Sequence, residues 1–396
     1  MTLPTILLKK DQDRRIRTGH PWIFSNEINL ALTPIKGLTA GDLVTVLSPE
    51  KKVMGVAYVN PHSLISARIF SRNPNEELNL DFFKKQVEQA FVMRERLFDK
   101  PYYRLIFGEA DGLPGLIVDR FNEHLVVQIN TAGMDIRKDL IKEALCAVMP
   151  DIQTILLRND SPVREYEGLT LETVAWLGET PKEVILTEND TQFIAPLWEG
   201  QKTGWFYDHR MNRLRLKEYA PDKKVLDVFS YLGGWGIQAA HFGAKEVDCI
   251  ESSATASDFI KRNAELNQVA DKVNVITDDA FDAMKKLQKA EKRYDIIILD
   301  PPAFVKRTKD RKEGLLAYQR INESAIRLLA PGGILITCSC SMHATHEDFM
   351  QMFQRLAYRT QTQLQLIERG HQGPDHPLHI SIPETDYLKA YFIRKL

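Results

Sequence analysis

Beyond about residue 190 the chain changes rhythm, and that rhythm restricts its fold more than any single motif. Strands are legible at 224–228, 246–251, 273–277, 294–299 and 333–337. Apolar residues at helical spacing mark helices at 236–242, 254–267, 280–290, 312–329 and 346–358. A last strand is expected at 387–393. Alternation of this kind buries its strands in an open, mostly parallel sheet with helices on both faces. Ligands of such sheets lie beyond the carboxyl ends of the strands, so the residues that end each strand carry the chemistry.

The first of these strands ends at Asp227 and runs into a turn holding Phe229, Ser230, Gly233, Gly234 and Gly236. Glycines there let the backbone bend tightly and approach a ligand, and the helix that follows turns its first amides toward it. Glu251, followed by Ser252, ends the next strand 24 residues later and suits two ribose hydroxyls. Asp279, followed by Ala280, ends the third and can accept from an adenine amino group. A glycine turn alone also arises without any ligand; acidic ends on consecutive strands favour a nucleotide-like cofactor. Either a nicotinamide dinucleotide or S-adenosylmethionine fits. The spacing Gly-Gly-x-Gly departs from Gly-x-Gly-x-x-Gly and weakens the dinucleotide. Asp300-Pro301-Pro302 weakens it further, because that stiff turn presents a carboxylate and carbonyls to a planar ring.

Cys338 and Cys340 follow at the end of a later strand, two residues apart and so directed to one side. Cytosine carbon 5 is too electron-poor to take a methyl group unaided. A thiolate adding at carbon 6 makes carbon 5 carbanion-like, and thiolates are strong nucleophiles when their surroundings favour ionisation. The competing reading is that both cysteines are small buried fillers. With the glycine turn and Asp300, the pair points to methyl transfer onto a pyrimidine carbon. Only four cysteines occur, with no second Cys pair or spaced histidines, so neither a disulfide framework nor zinc is expected. That usage fits a reducing cytoplasm. No run approaches the roughly 18 to 20 apolar residues of a membrane span, and no secretory signal is apparent.

A chain of 396 residues exceeds one compact core. Residues 1–73 read as a small β-rich domain with strands at 43–47, 53–59 and 64–70, closed by Asn73-Pro74-Asn75. Residues 74–188 read as a central α+β domain with helices at 79–99 and 135–148 and strands at 116–120, 125–129 and 153–158. Residues 189–396 form the alternating domain. Net charge is −1, yet residues 1–72 carry ten Lys/Arg against five Asp/Glu, a local balance of +5 that suits phosphate contacts or an ordinary solvated face.

Several segments together resemble bacterial rRNA large-subunit methyltransferases that make 5-methylcytosine in 23S rRNA with S-adenosylmethionine. Gly19-His20-Pro21-Trp22-Ile23-Phe24 matches the start of that family's PUA domain. Residues 108–121, from Gly108-Glu109-Ala110-Asp111 to Asp119-Arg120-Phe121, match its central domain, as does Arg164-Glu165-Tyr166-Glu167. Gln201-Lys202-Thr203-Gly204-Trp205-Phe206-Tyr207-Asp208-His209-Arg210 matches the segment leading into the catalytic domain. The resemblance implies a Rossmann-like class I domain with a seven-stranded, mostly parallel sheet, preceded by a PUA β-barrel and an α+β domain. It implies Cys340 as nucleophile and Asp300 as partner of cytosine N3 and N4. It further implies that Lys202, Thr203, Phe206, Asp208 and Arg210 lie against the cofactor, beside Asp227, Phe229, Ser230, Gly233, Gly234, Glu251, Ser252, Asp279, Ala280, Asp300 and Pro301. Relatives with two cysteines carry the second in the Asp-Pro-Pro position; this chain does not, which leaves water or Asp300 as the base for the carbon 5 proton. RNA is the implied partner, and a homodimer is admitted. Trp22 and Phe24 suit either an RNA surface or a barrel core. Two other activities stay open: methylation of a purine nitrogen without a thiol, and RNA binding without catalysis.

Overall fold

The computed structural model describes residues 3–396. The chain forms two compact units: Met1–Val184 with Pro196–Trp205 and Pro374–Thr385, and Ile185–Ala195 with Phe206–Gly373 and Asp386–Leu396.

The first unit contains two five-stranded sheets. Strands β1 (Thr5–Leu7), β2 (Trp22–Phe24), β3 (Leu43–Leu47), β4 (Val53–Val59) and β5 (Ile65–Ser71) lie in the order β1-β3-β4-β5-β2, with only β1 and β3 parallel. Strands β6 (Tyr102–Phe107), β7 (Leu116–Phe121), β8 (His124–Ile129), β9 (Thr154–Asn159) and β10 (Glu172–Leu177) follow in the order β10-β9-β8-β7-β6. Strand β4 explains why both sheets share one unit. Its residues Gly55 to Val59 are all buried. Ala57 and Val59 face a core with Ile23, Val44 and Ala67, whereas Val56 and Tyr58, one residue out of phase, join the core of the second sheet. A strand covered on both faces reads as a continuous apolar run, as Val-Met-Gly-Val-Ala-Tyr-Val does. The expected boundary at 73 therefore falls between two sheets inside a single unit.

Helix Leu80–Leu97, capped by Asn79, which accepts from the Phe82 amide, packs Phe82, Phe83 and Val87 on the second sheet. Helix Lys138–Val148 adds Ile141 and Leu145. Buried ion pairs close this half. Arg94 forks onto Asp111 with two bonds of 2.8 Å, and Arg104 reaches Asp119 at 2.8 and 2.7 Å. Glu167 accepts from Asn60, Ser63 and Arg68 at 2.9, 3.0 and 2.8 Å.

The second unit opens with a hairpin of β11 (Glu183–Glu188) and β12 (Thr191–Pro196), turned by Asn189 and Asp190, both at positive φ. Seven strands follow: β13 (Lys224–Val228), β14 (Glu246–Glu251), β15 (Val273–Thr277), β16 (Tyr294–Leu299), β17 (Leu329–Ser339), β18 (Leu364–Gly370) and β19 (Lys389–Lys395). Their order is β15-β14-β13-β16-β17-β19-β18, with β13 to β17 parallel and β19 antiparallel to both neighbours. From β13 the chain runs outward to β15 and returns to β16 on the other side. The switch point thus lies at the carboxyl ends of β13 and β16. Helices Ala280–Lys289, Arg311–Leu328 and His346–Thr360 bury Met284, Ile321, Phe349 and Leu356 on one face. No helix among the described residues is long and apolar enough to cross a membrane.

Candidate active site

Asp227 ends β13 fully buried. One of its oxygens accepts from the Gly236 amide at 2.9 Å, and the other, Oδ1, is buried with no hydrogen-bond partner among the described residues. Burial, with help from the nearby charges of Asp300 and Glu251, pushes its pKa up to about 7. The turn beyond it is strained: Phe229, Tyr231 and Gly233 all have positive φ, at 65°, 51° and 83°. Such backbone is rare for aromatic residues and collects at ligand sites. Gly236 has no alternative, because a Cβ there would sit 2.5 Å from the Cys249 sulfur and 3.1 Å from Asp227. Ser230 donates to the Asp227 carbonyl at 2.9 Å.

Glu251 ties this turn to the next strand end. Its carboxylate accepts from the Tyr231 and Ser253 amides, both at 2.9 Å, and stays partly exposed. Each oxygen keeps a lone pair for a further donor. Ser252 is exposed beside it. Phe206 packs edge-on against Tyr231 at 5.5 Å, which brings it to the turn. Asp279 caps helix Ala280–Lys289, one of its oxygens accepting from the Phe281 and Asp282 amides at 2.9 and 3.2 Å. Asp208 accepts from the Tyr387 hydroxyl at 2.5 Å, and Arg210 lies 3.7 Å from buried Glu188. Lys202 and Thr203 belong to the first unit; Lys202 is exposed, and the buried Thr203 hydroxyl donates to Asp119 at 2.5 Å.

Asp300 follows β16 and holds two partners that the sequence did not announce. Trp235 Nε1 donates to one oxygen at 3.0 Å, and His209 Nε2 lies 3.2 Å from the other. Burial alone would raise the pKa of Asp300, but the His209 charge and the two hydrogen bonds outweigh it and hold the carboxyl below its usual value. Asn212 fixes the ring. Its Nδ2 donates to the His371 carbonyl at 3.1 Å and lies 3.3 Å from His209 Nδ1. The ring is thereby held with Nε2 directed at Asp300.

The cysteines differ more than their spacing suggests. Cys338 lies within β17, fully buried, and its sulfur is within 4.8 Å of the His209 and Asp300 ligand atoms. Burial, then the Asp300 charge, pushes its thiol well above the ordinary value. This trio offers three of the four donors of a structural zinc site, with the Asp300 oxygens already hydrogen-bonded. Cys340 lies one residue beyond β17 and is half-buried. It is close enough to Lys389 and Tyr318 for a charge on its sulfur to act on both. The next residue, Ser341, accepts from the Val305 amide at 3.1 Å and meets the Tyr318 hydroxyl at 2.9 Å, and Ser339 donates to that hydroxyl at 2.9 Å. Tyr318 in turn packs on Phe304. The Asp300-Pro301-Pro302-Ala303-Phe304 loop and the Cys340 segment are thus one hydrogen-bonded assembly. Trp22 and Phe24 are half-buried in the first unit. Trp22 donates to Glu109 at 2.8 Å, and Phe24 lies under Arg15.

A strained glycine turn, an acidic residue ending the next strand, and a buried carboxylate with one oxygen unpartnered among the described residues suit a cationic, ribose-bearing cofactor at the switch point. They define an S-adenosylmethionine-dependent methyltransferase. Residues 166–394 match the S-adenosylmethionine-dependent methyltransferase family, and residues 6–72 match a PUA-like domain. The chain belongs to the ribosomal RNA large subunit methyltransferase I family. It is 34% identical to the member from Cronobacter sakazakii over 98% of both chains. It is 36% identical to the member from Aliivibrio fischeri over 98% of this chain and 99% of that one. The fold is shared over the full length of both chains with a methyltransferase from Streptococcus mutans (TM-score 0.83, 20% identity). A methyltransferase complexed with S-adenosylhomocysteine shares it equally fully (TM-score 0.85, 19% identity).

Proposed function

We propose that this protein methylates carbon 5 of a cytosine in the RNA of the large ribosomal subunit, with Cys340 as nucleophile. The names of its relatives and its PUA-like sheet support the substrate. The chemistry rests on one observation: a half-buried thiol, Cys340, joined through Ser341 and Val305 to the loop that carries Asp300. Cys338 is the weaker candidate, being enclosed and held as a thiol.

S-adenosylmethionine supplies an electrophilic methyl group on a sulfonium. The cationic sulfonium and ammonium suit the partnerless oxygen of Asp227, and Glu251 suits the ribose hydroxyls. Phe206 is offered to the adenosine from the side of Tyr231. Cys340 Sγ forms a bond to cytosine carbon 6, and the ring electrons move to carbon 5, which takes the methyl. A base, water or Asp300, then takes the carbon 5 proton, which expels the Cys340 thiolate and restores the ring. Lys389, its pKa lowered by burial, supplies a cation beside that thiolate. Asp300, its pKa held down, accepts from the cytosine N4 amino group and faces N3, with His209 Nε2 fixing its other side. The target base must leave its stack to expose carbon 6.

The test is product analysis with labelled S-adenosylmethionine and rRNA from cells lacking this gene. Wild type should yield 5-methylcytidine and Cys340→Ala none. A methylated purine, or undiminished 5-methylcytidine from the variant, would remove the nucleophile.

A further inference from the structure

Directly after the Asp300 loop, residues 306–312 read Lys-Arg-Thr-Lys-Asp-Arg-Lys, five cations against one carboxylate in a chain of net charge −1. They lead into helix Arg311–Leu328, which packs beside helix His346–Thr360. These helices follow β16 and β17 in the chain, so both begin on the side of the sheet where those strands end. Between their first turns lies a groove of about 600 Å³, its rim formed by Lys309, Lys312 and Arg355 and its floor by Leu316 and Met352. The one carboxylate lining it, Asp348, is covered by Arg311 at 2.5 Å. Lys309, Lys312 and Arg355 are exposed and have no ion-pair partner among the described residues. A neighbouring hollow continues from Arg355 to Tyr358, whose ring is 87% exposed. Two helix N-termini add positive potential at the start of this track.

We propose that this groove holds single-stranded RNA flanking the target base, phosphates on the cationic rim and a base against Tyr358. Unpaired cations along a channel beside an exposed aromatic ring are the features by which single strands are gripped without sequence readout. The track begins at Thr308, a few residues beyond the loop that presents Asp300, so a strand with its base in the site could leave along it. The inference rests on the RNA reading above and adds a second contact surface, within the catalytic unit.

The experiment compares full-length wild type with Lys309→Ala/Lys312→Ala/Arg355→Ala by fluorescence anisotropy on a labelled single-stranded 23S rRNA fragment over a salt series. Each phosphate contact to a single strand contributes about 0.7 to the log–log salt slope, so the variant's slope should flatten by about 2. Between 50 and 200 mM salt, wild type should lose roughly 20-fold more affinity than the variant. Lys309→Arg/Lys312→Arg/Arg355→Lys should keep the wild-type slope, and both variants should bind S-adenosylmethionine normally, which reports intact folding. Unchanged slope and affinity in the alanine variant would overturn the inference alone, and would leave the groove to an acidic protein partner. Failure of wild type to bind RNA would overturn the RNA reading and this inference with it.

Discussion

Replacing Asp227 by Asn should make the cofactor-free protein more stable, increasingly so as pH rises. The carboxyl is fully buried, with no hydrogen-bond partner for Oδ1 among the described residues, and burial raises its pKa from 3.8 to about 7. A carboxyl whose folded pKa lies above its unfolded one contributes stability that is fully present below the unfolded value. That stability is lost as pH rises through the folded value. Here the loss runs from about pH 4 to pH 7 and reaches about 4 kcal/mol above that window. Asn keeps an acceptor for the Gly236 amide and carries no charge. Its advantage over wild type should therefore grow by about 3 kcal/mol between pH 5 and pH 8. Guanidinium denaturation at the two pH values, without cofactor, measures this directly. The same variant should bind S-adenosylmethionine more weakly, and the affinity of wild type, measured by calorimetry, should climb over that pH range while the variant's stays flat. A pH-independent difference in stability, or a variant that binds as well as wild type, would refute the reasoning.

Other substitutions probe the rest of the site. His209→Ala removes the group that holds the pKa of Asp300 down, so the acid limb of the kcat/KM profile should move to higher pH; an unmoved limb would detach His209 from Asp300. Tyr318→Phe leaves Ser339 and Ser341 without their shared hydroxyl and should cost about 1–3 kcal/mol in denaturant unfolding while lowering turnover. Cys338→Ala should still produce methylated RNA, in contrast to Cys340→Ala, as radiolabel transfer will tell. In the first unit, Arg104→Ala strands the buried Asp119 and should cost about 3–5 kcal/mol, seen as a fall in Tm.

The catalytic sheet was readable because its strands are apolar, separated by helices and ended by glycine or acid. Six of its seven strands are visible that way. The seventh, β18, is an edge strand that exposes Gln365, Ile367 and Arg369 in alternation and gives only Leu364 and Leu366 to the core. Strands β1, β2 and β11 were missed because three apolar residues, or alternation with charge, look like loop. Periodicity marks the end of the first sheet near residue 73 but not which neighbour covers its far face, as Val56 and Tyr58 illustrate. In the site, Asp227, Glu251, Asp300 and Cys340 stand out by position at strand ends. His209, Trp235 and Tyr318 do not, since they reach Asp300 and the cysteine segment across 91, 65 and about 20 residues of chain. His209 belongs to the segment that resembles the family, but only the fold sets its ring between Asn212 and Asp300.

The most direct measurement is a covalent trap. Full-length protein, S-adenosylmethionine and an rRNA fragment carrying 5-fluorocytidine at the target would be mixed and analysed by mass spectrometry. Fluorine at carbon 5 cannot leave as a proton does, so the thiol bond to carbon 6 should persist. A denaturation-resistant protein–RNA adduct mapping to Cys340, and absent from Cys340→Ala, is the predicted result. No adduct, or one mapping to Cys338, would contradict the assignment of Cys340 as nucleophile.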